Sequence, residues 1–98
     1  MTKTLTASRS SAFERQRGLC CYCDEPMWVS DPEVFAKHHG LTRRQADAHR
    51  CTAEHLQARR EGGRDVRENI AAACAWCNSH RHAQRAVVPN PDQYRQLV

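Results

Sequence analysis

The 98-residue sequence has little with which to build a core. Leu, Ile, Val and Phe together number only 14, and 13 alanines make up much of the remaining hydrophobic fraction. A share near 14% lies under the roughly 20% below which chains tend to stay disordered. A core so thin calls for a staple, either disulfides, a metal or an oligomer. No apolar run approaches the length needed to cross a bilayer, which excludes a membrane-spanning class. The opening MTKTLTASRS has no apolar stretch either, so no secretory signal is expected and the expected location is cytoplasmic. Cysteines kept reduced there serve as metal ligands rather than disulfides. No repeat or low-complexity segment is present.

Lysine is also scarce: 13 of the 15 cationic side chains are arginine, whose planar fork grips phosphate through two parallel hydrogen bonds. The net charge of +4 is unevenly placed. Residues 1–40 balance five cations against five acids, whereas residues 41–85 set nine arginines against five acids. The surplus has the form of a polyanion footprint.

Local signals divide the chain into an N-terminal helical part with a tight cysteine loop (1–50), a core (51–86) and a tail (87–98), all in one domain. Ser11-Ala12-Phe13-Glu14 has capping-box form and predicts a helix to about Arg17. Asp31-Pro32 opens a second helix that Gly40 stops. Thr42 caps a third, reaching about Ala48. CTAEHLQA and NIAAAC read as strands on either side of a polar Gly-Gly loop, followed by a helix from about Ala75 to Ala86. Asn90-Pro91 caps a last turn.

What is abundant is cysteine, with six residues. Cys20 and Cys23 form one CxxC pair, and Cys74 and Cys77 another. Two intervening residues let both sulfurs of a pair reach one ion from a tight turn, and two pairs complete the tetrahedral S4 shell that suits structural Zn²⁺. Such a site supplies on the order of 10 kcal/mol of folding free energy, enough to offset the missing core. Cys51 reads as a small buried hydrophobe; Cys21 is an alternative ligand to Cys20, but its side chain is expected to point away from the ion.

A second group sits beside these. Asn78 and His82 stand four apart and share one face of the last long helix. Glu54 and His55 are neighbours on the first strand and point to opposite sides. A carboxylate, an amide oxygen and an imidazole form an incomplete shell, open to water and phosphate, that fits Mg²⁺, Mn²⁺ or another divalent cation.

The order EH, GG, NI and CAWCN within EHLQARREGGRDVRENIAAACAWCNSHRH resembles the HNH endonuclease family, whose fold is the small α+β ββα-metal finger. Thirteen residues separate His55 from Asn69 and eight separate Asn69 from Asn78, gaps that suit the family. Cys20 and Cys23 extend the likeness to its four-cysteine, zinc-bearing subgroup. The resemblance implies a metal-dependent DNA endonuclease that leaves 5′-phosphate and 3′-hydroxyl ends, in a bacterial or phage-infected cell. It implies His55 as general base and Asn69 as the residue that ties the loop; on chemical grounds a backbone carbonyl on the other His55 nitrogen would fix its tautomer. Glu54, Asn78 and His82 would hold the catalytic Mg²⁺, Mn²⁺ or Ni²⁺, with glutamate standing where Asp or His is commoner. Arg59, Arg60, Arg64, Arg67, Arg81 and Arg85 would meet the DNA phosphate backbone, with the helix approaching the minor groove. Phosphate contacts position without specifying sequence, so weak selectivity is expected. A non-catalytic zinc-containing nucleic-acid-binding module and a zinc domain that docks a protein are the competing readings.

Overall fold

In a computed structural model that describes residues 2–83 and 87–98, the elements run α1 (Lys3–Arg15), α2 (Pro32–His39), α3 (Arg43–Ala48), β1 (Cys51–His55), β2 (Ile70–Cys74), α4 (Ala75–His82) and α5 (Pro91–Leu97). The result is a small α+β fold of the ββα-metal type. Two antiparallel strands are paired from Cys51–Cys74 to His55–Ile70, and α4 follows β2 directly. No helix among the described residues is long and apolar enough to cross a membrane.

The helix expected from Ser11 begins instead at Lys3. Thr2 caps it by accepting from the Leu5 amide at 3.0 Å, and neither glycine nor proline interrupts the run to Arg15. Ser11 therefore lies inside the helix, where it accepts from Arg15 at 2.8 Å. Leu5, Ser8 and Ala12 are buried at spacings that put them on one face, and α1 packs across both strands. The helices after Asp31 and Thr42 form as expected: Asp31 accepts from the Glu33 and Val34 amides, Gly40 closes α2 in the left-handed conformation, and a capping box opens α3. Helix α4 ends at His82, short of the expected Ala86, because Ala83 is already extended; residues 84–86 lie outside the described part.

Alanine is what lets these layers approach. Ala72 and Ala73 of β2 and Ala12 of α1 are fully buried. The main core gathers ten buried residues, four of them cysteines, together with Tyr22, Met27 and Tyr94. A smaller cluster joins Phe35, Ala36 and Ala46, with Trp28 beside it. Trp28 donates from its indole to the Ala46 carbonyl at 2.7 Å. The outer edge of β2 is covered by a side chain: the Gln16 amide donates to Ala72 O at 2.8 Å and accepts from Ala72 N at 2.9 Å. That contact blunts an edge otherwise open to strand addition.

Strand β1 stops at His55 although the sequence pattern runs to Ala58. Beyond Leu56 a side chain replaces the partner strand. Asn69 Oδ1 accepts from Gln57 N at 2.7 Å, while its Nδ2 donates to Gln57 O and Arg64 O, each at 3.0 Å. The loop between the strands then folds back so closely that a Cβ on Gly63 would overlap the Gln57 carbonyl. Gly63→Ala is expected to lower the unfolding free energy by about 2–3 kcal/mol through this backbone clash, read as a lower urea midpoint.

Candidate metal centres and nuclease site

The four sulfurs of Cys20, Cys23, Cys74 and Cys77 lie within 4.8 Å of one another. A tetrahedral zinc with bonds of about 2.3 Å sets neighbouring sulfurs about 3.8 Å apart, and Cys23 Sγ lies 3.9 Å from Cys74 Sγ. Residues of both knuckles shape the nest. The Tyr22 and Cys74 amides donate to Cys20 Sγ at 3.4 and 3.3 Å, and the Cys77 amide donates to Cys74 Sγ at 3.4 Å. The first knuckle is also tied to the sheet by Cys21 N donating to Ala72 O at 3.1 Å. The donor set fits zinc. Held this close in the interior, the thiols do not ionise alike: hydrogen bonds from Cys21 and Cys74 hold Cys20 low, whereas burial first, then the charge of Cys20, pushes Cys77 up to about 12. A divalent cation reverses that balance, so loading releases protons and affinity falls as the pH is lowered.

All six cysteines are free thiols. Cys51 is buried in the core, outside the set of four. Cys21 is half-buried, and the neighbouring Cys20 first, then burial, raises its pKa and keeps it protonated.

Between the two ligands of the first knuckle, Tyr22 points into the protein. Its hydroxyl donates to Glu54 Oε2 at 2.9 Å. Burial first, then the Glu54 charge, holds this phenol well above its usual range, so it remains a donor. Glu54 is fully buried (0% exposed). Its Oε2 also accepts from Arg81 Nη1 at 3.0 Å, and its Oε1 lies 2.8 Å from His82 Nε2.

Arg81 corrects one expectation. At 1% exposure it is no phosphate contact. Its Nη1 and Nη2 donate to the carbonyls of His55 and Leu56 at 2.7 Å, and its Nε to Pro89 O at 2.8 Å. Its Cζ stands 5.8 Å from the Tyr22 ring centroid. A buried guanidinium must spend its donors this way to offset desolvation. Arg85 lies outside the described residues. Arg59, Arg60, Arg64 and Arg67 are exposed on the loop between the strands.

The structure brings Glu54 and His82 together. Two donors bound side by side to one cation at about 2.1 Å stand about 3 Å apart, near the present Oε1–Nε2 separation of 2.8 Å. Asn78 lies one turn earlier on α4. Its Nδ2 donates to Thr52 Oγ1 at 2.9 Å and Ala53 O at 3.2 Å, leaving Oδ1 as the atom it can offer a cation. An open divalent site on these three side chains would offer one carboxylate oxygen, one amide oxygen and one imidazole. His55 turns the other way, as strand alternation requires. Its Nε2 meets Asp65 Oδ1 at 2.7 Å, not a backbone carbonyl.

Sequence reasoning missed Tyr22 and Asp65. Asp65 carried a signal, as an acid in the loop that Asn69 closes; Tyr22 carried none beyond its place in the knuckle. Trp76 is 49% exposed, stacks on His80 at 3.8 Å and lines a cleft with Cys23 and Cys74 beside the knuckles.

Removing one partner from a buried ion pair leaves the other uncompensated. Arg81→Ala is therefore expected to cost about 3–5 kcal/mol of stability, measured by urea unfolding of the zinc-loaded protein at neutral pH.

A family model for HNH endonuclease matches residues 20–84, well over half of the chain and inclusive of both cysteine pairs. Comparison with curated proteins and with solved structures returned no match. The matched span, the four-sulfur cluster and the two strands leading into α4 agree with one another: the chain belongs to the HNH endonuclease family, a nuclease-type, nucleic-acid-directed group.

Proposed function

We propose that the protein is a metal-dependent endonuclease that hydrolyses phosphodiester bonds of DNA. The observation that carries this reading is the pairing of Glu54 Oε1 with His82 Nε2 at 2.8 Å, one turn from the Asn78 amide, inside the matched span. Glu54, Asn78 and His82 would hold a divalent cation. When bound, such an ion offsets the charge that develops on the phosphoryl and leaving oxygens. Glu54 is fixed through Oε2 by Tyr22 and Arg81, so Oε1, the edge that meets His82, is aimed before substrate arrives.

His55 takes the proton from the attacking water. A neutral imidazole has an ordinary pKa near 6.5, close to working pH. Asn69 holds the loop that carries Asp65 and the arginines. Arg59, Arg60, Arg64 and Arg67 meet phosphates, and 5′-phosphate and 3′-hydroxyl ends are the expected products. An open cleft of about 450 Å³, lined by Arg15, Arg67 and Glu68 among others, lies at the His55–Ile70 end of the sheet, where its two arginines would meet DNA phosphates.

One observation favours a second reading. The Glu54 carboxylate is fully buried and already engaged by three side chains, as in a zinc-containing binding module whose nuclease site has decayed.

Supercoiled plasmid separates the two. The wild type should nick it in Mg²⁺, Mn²⁺ or Ni²⁺, and His55→Ala should lose roughly 10²–10⁴-fold in rate with DNA affinity kept. A wild type that binds DNA but cuts in none of the three ions supports the binding module. Arg64→Ala and Arg67→Ala should each weaken binding similarly on all sequences and reduce the salt slope of log K by about one, as followed by fluorescence anisotropy.

A further inference from the structure

We propose that Asp65 is a positioning residue for His55, holding the ring by its Nε2–H so that Nδ1 presents the lone pair. The functional half of this inference rests on the nuclease reading; the geometric half does not. His55 Nε2 and Asp65 Oδ1 are 2.7 Å apart. The other carboxylate oxygen, Oδ2, accepts from Arg59 Nη2 at 3.0 Å. Arg59 Nε also lies 3.2 Å from His55 Nε2, so two groups compete for that nitrogen. A neutral imidazole carries one N–H. If Nε2 accepted from Arg59, its lone pair would face the carboxylate at 2.7 Å, which is repulsive. With the proton on Nε2, the shorter contact becomes a charge-assisted hydrogen bond, and Arg59 neutralises the carboxylate from its far side. The Asp65 carboxyl is held below its usual range, first by the His55 hydrogen bond and then, against some desolvation, by Arg59.

The loop places Asp65 there by construction. Asn69 Nδ2 binds the carbonyl of Arg64, the residue just before Asp65, and Gly63 permits the close passage by Gln57. The asparagine that closes the loop thus delivers an acid to the histidine. Asp65 touches neither water nor phosphate in this role and acts only through the ring.

The test is nitrogen-edited NMR of the histidine rings in zinc-loaded protein, paired with nicking kinetics. The wild type should show a downfield, exchange-protected proton on Nε2 of His55, with Nδ1 unprotonated. Asp65→Ala should lose that signal, and Asp65→Asn should weaken it. Nicking kcat should fall about 10- to 100-fold in Asp65→Ala, the usual range for a group that orients an active imidazole, with KM changed little. A wild-type proton on Nδ1, or an Nε2–H signal that survives Asp65→Ala, overturns the assignment without needing activity at all. Unchanged kcat in both variants overturns the positioning role. A wild type that nicks nothing removes the nuclease reading, and the Nε2–H signal alone then decides whether Asp65 holds the ring.

Discussion

Four sulfur atoms stand where a larger domain would keep its leucines and phenylalanines. Cys20, Cys74 and Cys77 are members of the main buried cluster, with Cys23 packed against it, so the metal-binding nest and the core are the same place. The two knuckles are far apart in sequence, and elements before, between and after them close against this nest: α1 through Ala12, the sheet through Ala72 and Ala73, α5 through Tyr94. An ion coordinated by the four sulfurs would replace the area-proportional burial that this short, alanine-rich chain lacks.

The same clamp reaches the candidate site through two side chains. Cys74 and Cys77 anchor the start of α4, which carries Asn78, Arg81 and His82. From the other knuckle Tyr22 extends to Glu54, and it packs edge-on against Tyr94 at 4.9 Å. Glu54 is therefore fixed from the sulfur side by a phenol and from the helix side by a guanidinium. A buried carboxylate is costly unless paired and hydrogen-bonded, and Arg81 meets that need while closing three backbone carbonyls. The division of labour follows: one oxygen of Glu54 is structural and the other faces His82. On the opposite side of β1, His55 depends on the loop and not on the clamp, so the two halves of the site can be perturbed separately.

Much of this was legible in the sequence because spacing rules act locally. CxxC pairs announce their geometry, Asp31-Pro32 and Thr42 announce helix starts, and Asn78 and His82 at four apart announce a shared face. Ser11 misled because an equally good cap at Thr2 preceded it with no breaker between. Arg81 misled for a different reason: charge counts cannot distinguish a surface cation from one recruited to a buried acid, and Glu54 lay 27 positions away in the chain. Asp65 and Tyr22 were hidden because their partners come from other elements, and only the fold brings them within reach. Strand β1 ended early because the Asn69 side chain, not a neighbouring strand, pairs with Gln57.

The dependence on the sulfur clamp is open to direct measurement by zinc-edge X-ray absorption on protein purified under reducing conditions. One zinc per chain with four sulfur scatterers at about 2.3 Å, and no nitrogen or oxygen in the first shell, is the expected result. A shell in which histidine or water replaces a sulfur, or folded protein that carries no zinc, would contradict it.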